Sequence, residues 1–220
     1  MRIVVWFLLA SMPLSALSID LYVQCSTAPM NQGPDYSASC GDSFDSASAT
    51  VNGFSVAAYA SGAPGGYESY ATASFSDDPV ITFFGGTGEG FTQPSLTTSV
   101  FEGFGSAGVA TASLGQCMIN YFEHYCGWNS VQFIFGLPEA QNLFLYAGAA
   151  AFGELYEGTS ANGEASFNGF LGFYDAYGNP LSGVTYEIGS PGQSSPEPGT
   201  LLLTAMAGTA LLACSRRHGG

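Results

Sequence analysis

The residues best equipped for chemistry are four cysteines, at 25, 40, 117 and 126, and the Glu123-His124 pair between the last two. Thiols pair in an oxidising compartment, and four is an even number once Cys214 near the C-terminus is set aside. Of the three connectivities, Cys25 with Cys40 and Cys117 with Cys126 join sequence neighbours and are the economical choice. Each would close a short loop and stabilise the fold by about 2–3 kcal/mol on a chain-entropy estimate. The sharper alternative is a zinc site of Cys117, His124 and Cys126, since thiolate and imidazole are preferred zinc ligands. Against it, the compact Cys-x-x-Cys spacings of common zinc modules are missing. His124 beside Glu123 could serve as a general base, and any Ser-His-Asp or Cys-His arrangement between residues 19 and 195 would have to use it. A histidine in a disulfide-closed hairpin loop is the plainer account.

Other chemical signals are weaker. Asp42-x-x-Asp45 and Asp77-Asp78 offer oxygens to calcium, but no Asp-x-Asp-x-Asp-Gly loop occurs, and both pairs also suit turns. Two carboxylates suffice for glycoside hydrolysis, yet no aromatic and carboxylate cluster stands out. Gly103-Phe-Gly-Ser-Ala-Gly108 matches Gly-x-Gly-x-x-Gly, but it leads into the strand-like Val109-Ala-Thr-Ala-Ser and not into a helix. No Gly-x-Ser-x-Gly elbow is present. We expect no catalytic residue, no metal and no cofactor, and so a protein that is not an enzyme.

Charge narrows the partners. The only basic side chains besides histidine are Arg2, Arg216 and Arg217, so residues 19–195 contain no lysine or arginine, and the formal net charge is −14. Such a surface repels phosphate backbones, which excludes nucleic acid as a partner. It has no cation to clamp phosphates or carboxylates, and its stability must come from apolar burial, backbone hydrogen bonds and covalent staples. Seventeen Phe, twelve Tyr and two Trp supply that burial, and thirty Gly supply the turns. Some aromatic side chains would instead offer platforms to sugar rings: Tyr59, Tyr67, Tyr70 and Trp128 look the more exposed, and Tyr67 and Trp128 are the glycan contacts we carry forward.

The elements that would position these residues are strands. Short apolar and aromatic runs are divided by turn residues every eight to twelve positions, and helical periodicity is almost absent. Asn52-Gly53 and Asn168-Gly169 each stand between two such runs and predict β-hairpins with two-residue type I′ turns. Further strands are expected at 68–75, 79–84, 96–101, 108–114, 117–122, 130–135 and 183–188, after a loop-like opening at 28–42. Residues 138–153 suit either a helix begun by Pro138 or a strand pair bent at Gly148. The pattern implies an all-β fold, a single antiparallel β-sandwich, jelly-roll-like, occupying residues 19–188.

The two ends carry addresses. Met1-Arg2, the apolar run Ile3 to Ala10 and the small residues Ala16-Leu17-Ser18 have the three parts of a signal peptide (1–18), cleaved after Ser18 or, as second choice, after Ala16. At the other end a flexible spacer (189–195) precedes Pro196-Glu197-Pro198-Gly199-Thr200-Leu201. An uncharged run from Leu201 to Ala213 follows, then Arg216-Arg217. The run covers about 20 Å as a helix, less than the hydrocarbon thickness of a bilayer. Residues 196–220 resemble the PEP-CTERM sorting domain of exported bacterial proteins. The resemblance implies a short transmembrane helix (201–213) held by Arg216 and Arg217 as a stop-transfer end. It also implies recognition of Pro196, Glu197, Pro198 and Gly199 by an exosortase-type enzyme. Signal peptidase, the exosortase, the membrane in transit and an exopolysaccharide are then the expected partners. The expected destination is the cell surface or the extracellular space, and the expected role is structural; a carbohydrate-binding module is the alternative, and a glycan-active hydrolase stands behind it.

Overall fold

The computed structural model describes residues 17–26, 31–33, 36–154 and 156–189. The sorting motif, the apolar run and Arg216-Arg217 lie outside the described residues, as do residues 1–16 of the expected signal peptide. Within the described residues the fold is all-β and antiparallel, with sixteen strands in three sheets.

In chain order the strands are β1 (Ser18–Cys25), β2 (Asn31–Gly33), β3 (Ser37–Gly41), β4 (Asp45–Val51), β5 (Ser55–Gly62), β6 (Glu68–Asp77), β7 (Val80–Phe84) and β8 (Glu89–Glu102). They continue with β9 (Ser106–Leu114), β10 (Cys117–Asn120), β11 (His124–Tyr125), β12 (Val131–Ile134), β13 (Pro138–Ala140), β14 (Leu143–Phe152), β15 (Thr159–Tyr174) and β16 (Thr185–Ile188). A six-stranded sheet runs β1-β6-β14-β9-β10-β11, a seven-stranded sheet runs β12-β8-β15-β5-β4-β3-β2, and a small one runs β13-β7-β16.

The two large sheets face each other, as in a β-sandwich, and enclose one core. Strict alternation in the strands selects it: in β4 every second residue from Asp45 to Val51 is buried, and in β14 Leu143, Leu145, Ala147, Ala149 and Ala151 point inward. The filling is largely alanine, from Ala47, Ala49, Ala58 and Ala60 on one sheet to Ala71, Ala73, Ala110 and Ala112 on the other. Small side chains let the layers close until backbones touch. At Gly163 of β15 an added Cβ would lie 2.3 Å from the Val109 carbonyl oxygen and 2.8 Å from that of Gly148.

A second core is aromatic. Phe83 of β7 and Phe133 of β12 stack at 4.0 Å with no exposure, and Phe170, Phe173 and Tyr186 meet Phe83 edge-on or tilted. Here Asn168-Gly169 departs from the expected hairpin. β15 runs on through it, and the register shifts between Phe167 and Phe170 and again before Gly172. Gly169 has φ +96°, and the Tyr186 hydroxyl lies 2.3 Å from where its Cβ would be. The positive φ that a hairpin turn needs serves a β-bulge equally well. The bulge bends β15 so that Phe170 and Phe173 reach the second core.

At Asn52-Gly53 the hairpin forms, with its turn one residue later than expected. Asn52 and Ser55 exchange backbone hydrogen bonds, which leaves Gly53 and Phe54 as the central pair. Only Gly53 has positive φ, the arrangement of a II′ and not a I′ turn. Phe54 gains by it, packing edge-on against Phe75 and Phe167. Residues 138–153 form β13 and β14 and no helix. β14 pairs without interruption from Leu143 to Phe152, so it is not bent into two strands at Gly148. The opening at 28–42 is not all loop: β2 and β3 extend the seven-stranded sheet there.

Both expected disulfides are present. Cys25 to Cys40 spans 6.0 Å between Cα atoms and ties edge strand β1 to β3 of the facing sheet. Cys117 to Cys126 spans 4.4 Å and closes the β10–β11 hairpin at the opposite edge of the six-stranded sheet. The zinc alternative is thereby corrected: the sulfurs of Cys117 and Cys126 are bonded to each other, so neither is a thiolate ligand.

Candidate functional site

Two of the sequence-derived candidates meet in a polar cleft of about 400 Å3, where the Asp42–Ser46 segment, the end of β5, Phe104 and the start of β15 converge. Asp42 builds its rim: Oδ1 accepts the backbone N–H of Phe44 at 2.7 Å and of Asp45 at 3.3 Å, an Asx-type turn. Asp45 is almost wholly buried and accepts the Ser26 N–H, tying the segment to the end of β1. Both carboxylates therefore shape a loop, the plainer of their two expected roles. Among the described residues no group of three or more His, Cys, Asp or Glu is gathered as a metal site.

The turn lifts Phe44 into solvent, 49% exposed, with its ring stacked on Tyr67 at 5.0 Å. Phe104, 74% exposed, also lines the cleft. The Ser46 and Ser61 hydroxyls hydrogen-bond each other at 2.7 Å, and the buried Thr159 Oγ1 has no partner. Two apolar rings beside hydroxyls and carboxylates, with no cation, suit an uncharged polyol better than an anion. Tyr67 is thus a buttress behind Phe44 and not a lone platform.

Trp128 stands elsewhere. It wedges edge-on between Phe91 and Tyr174, each at 5.7 Å, and is 39% exposed. Tyr174 ends β15 while Thr159, by the Tyr67 cleft, begins it. At about 3.3 Å per residue the two sites are separated by most of a sixteen-residue strand. Tyr67 and Trp128 therefore do not form one glycan platform. His124 is exposed on β11 opposite Ile119, and no described side chain hydrogen-bonds to it, so no triad geometry surrounds it.

The other acidic pair straddles the end of β6, Asp77 being its last residue and Asp78 the first of the turn. Asp77 accepts the Asp78 N–H at 2.9 Å, and Asp78 accepts the Asn142 amide at 3.1 Å. Burial pushes the Asp77 carboxyl above its usual range, which the Asp78 hydrogen bond opposes and the Asp78 charge reinforces. At the tip of the second core Asp175 is held below its usual range by hydrogen bonds from Asn179, Tyr177 and Gly178.

Sequence reasoning did not single out the rings of Phe44 and Phe104, nor Tyr22 and Tyr146, which point outward from the six-stranded sheet. The signal for the tyrosines was parity: Tyr22 alternates with the buried Val23, and Tyr146 with Leu145 and Ala147. Compared with known proteins, the chain matches no family model, no curated protein and no solved structure.

Proposed function

We propose that this is an exported, non-catalytic protein of the cell envelope or extracellular matrix, structural in an exopolysaccharide setting and delivered by its PEP-CTERM-like tail. The observation that supports export is the pair of disulfides at the two edges of the six-stranded sheet, because such staples belong to oxidising compartments. The absence of lysine and arginine from residues 19–195 agrees with it. Signal peptidase acts first. Cleavage after Ala16 leaves β1 whole, whereas cleavage after Ser18 removes the first residue of its pairing with Ser76. The apolar run then holds the chain transiently in the membrane, with Arg216 and Arg217 stopping transfer, while an exosortase-type enzyme reads Pro196-Glu197-Pro198-Gly199. The released domain is an antiparallel sandwich that shares with jelly rolls the passage of consecutive strands from sheet to sheet, as from β5 to β6 and from β14 to β15.

The test replaces Pro196, Glu197 and Pro198 by alanine and follows the chain by mass spectrometry in membrane and extracellular fractions. Wild type is expected to lose the Arg216-Arg217 peptide and leave the membrane, and the variant to keep both. Identical behaviour of the two, with the C-terminal peptide retained, would sink the sorting reading in favour of a permanent anchor. A second reading, a carbohydrate-binding module, is favoured by one observation, the Phe44 and Phe104 rings over a hydroxyl-lined cleft. Turnover of a polysaccharide, abolished by a single Asp or Glu change, would replace both readings with the hydrolase.

A further inference from the structure

We infer that the outer face of the six-stranded sheet binds an uncharged polysaccharide in a tyrosine-walled hollow formed across β1, β6, β14 and β9. The register assembles it. One row carries Tyr22, Thr72, Gly148 and Val109, and the next carries Gln24, Tyr70, Ala150 and Ala107. On the other side lie Asp20, Ser74, Tyr146 and Thr111. Because inward positions such as Ala71, Ala73, Ala147 and Ala149 are buried, the residues between them face outward. The hollow measures about 390 Å3, with Tyr22, Tyr70 and Tyr146 around a floor of Thr72, Gly148 and Ala150. Tyr70 lies opposite Ala150, so its backbone stands about 14 Å along the strands from that of Tyr146, and the Tyr146 ring reaches from there over Gly148.

Three features make this a prepared surface. Gly148 lets Val109 and Tyr146 close over the backbone, since an added Cβ would lie 2.8 Å from Val109 Cγ1 and 3.2 Å from the Tyr146 hydroxyl. Tyr70 is braced edge-on by Phe152 at 5.4 Å, and the Tyr22 hydroxyl donates to Gln24 Oε1. Rings already held in place lose little freedom when a ligand arrives. Tyrosine also matches the alternation of a sugar, offering a flat apolar face to its C–H groups and a hydroxyl to its rim. Burial, the Glu68 charge and a side-chain hydrogen bond with Glu68 push the Tyr70 hydroxyl above the usual phenol range.

Charge selects among occupants. No residue lining the hollow is charged, while Asp20 and Glu68 stand at its rim. A polyanion would be repelled, and a second copy of a chain with net charge −14 would bring its own acids against them. An uncharged glycan meets neither cost. The inference shares only its ligand class with the cleft at Phe44 and Phe104, and it does not depend on the tail.

The experiment measures retention of the full chain by cellulose, mixed-linkage β-glucan and galactomannan as uncharged probes, with alginate as the polyanion. Saturable retention by at least one uncharged probe is expected, and none by alginate. Tyr146→Ala and Tyr70→Ala should raise half-saturation tenfold or more, while Tyr59→Ala on the opposite sheet and Phe104→Ala in the cleft should leave it within twofold. Ala107→Gln keeps all three tyrosines and fills the hollow from its exposed edge, so it should weaken retention with the melting temperature unchanged. The inference is overturned if no uncharged probe is retained, if alginate is retained as well, or if Ala107→Gln and Tyr146→Ala both bind as wild type. Loss with Phe104→Ala alone would move the glycan to the cleft, and a dimer dissolved by Tyr146→Ala would give the face to a second copy.

Discussion

The two large sheets have the same inner face and opposite outer ones. Inside, both present alanine. Outside, the seven-stranded sheet is laced by its own hydroxyls: Ser46 bonds Ser61 at 2.7 Å, Thr97 bonds Ser166 at 2.7 Å, and the Asn168 amide donates to both Thr97 and Ser166. Of its rings, Tyr59 and Phe101 are held apart by Asn162 in one row, and Phe91 and Tyr174 pack on Trp128. The six-stranded sheet instead leaves Tyr22, Tyr70 and Tyr146 around an open hollow. Paired hydroxyls spend their hydrogen bonds on one another, whereas the tyrosines of the other face surround a hollow that the proposed glycan would fill. Alternation alone makes a sheet; the chemistry at its outward positions says whether that sheet is only structural.

The comparison is most severely broken by separating the sheets. Gly163→Ala drives a Cβ onto the Val109 and Gly148 carbonyls and should cost about 3 kcal/mol or more, read as a fall in the urea midpoint. Next in size are the staples. Replacing Cys25 and Cys40 by serine should cost about 3 kcal/mol, and removing the shorter Cys117 to Cys126 loop slightly less. Intact mass after alkylation without reduction should show no modified cysteine in the tail-less protein; two modified cysteines would mean that one bridge is wrong. The faces themselves are sharpened by a smaller pair of changes. Ser166→Ala should lose about 1 kcal/mol of stability and no glycan retention, and Tyr146→Ala should lose retention with the fold intact.

The smallest effects are electrostatic. Asp77 has a raised carboxyl pKa in the folded state, so between the ordinary carboxylate value and its own the folded protein holds more protons than the unfolded chain. Stability should therefore fall as pH rises through that window, and Asp77→Asn should flatten the slope of urea midpoints between pH 3 and 7. Asp175, with its lowered pKa, works in the opposite sense: its contribution is present above the ordinary carboxylate value and is lost as pH falls through the lowered one.

How much of this could be read from the chain follows from what each signal depends on. Alternation and turn spacing are local, so an all-β antiparallel fold was legible, and so were two disulfides between sequence neighbours. The third sheet was not: β13 and β16 are short pieces far apart in sequence that meet only by pairing with the two edges of β7, beside the aromatic core around Phe83. Asn168-Gly169 misled because a positive φ does not say whether the chain turns back or merely bulges. Strands β2 and β3 were hidden by polar, turn-like residues that pair at the edge of a sheet. The tyrosine hollow was beyond reach, since Tyr22, Tyr70 and Tyr146 become neighbours only through the registers of three strands.

Division of labour between the two outer faces is tested most directly by watching their tyrosines together. With tyrosine rings selectively labelled, the twelve resonances of the chain can be followed by NMR while mixed-linkage β-glucan, or whichever uncharged probe is retained, is added. The rings of Tyr22, Tyr70 and Tyr146 should shift and saturate together, with Tyr59 unmoved. Shifts at Tyr59, or at Tyr67 alone, with the three hollow tyrosines still, would contradict the account.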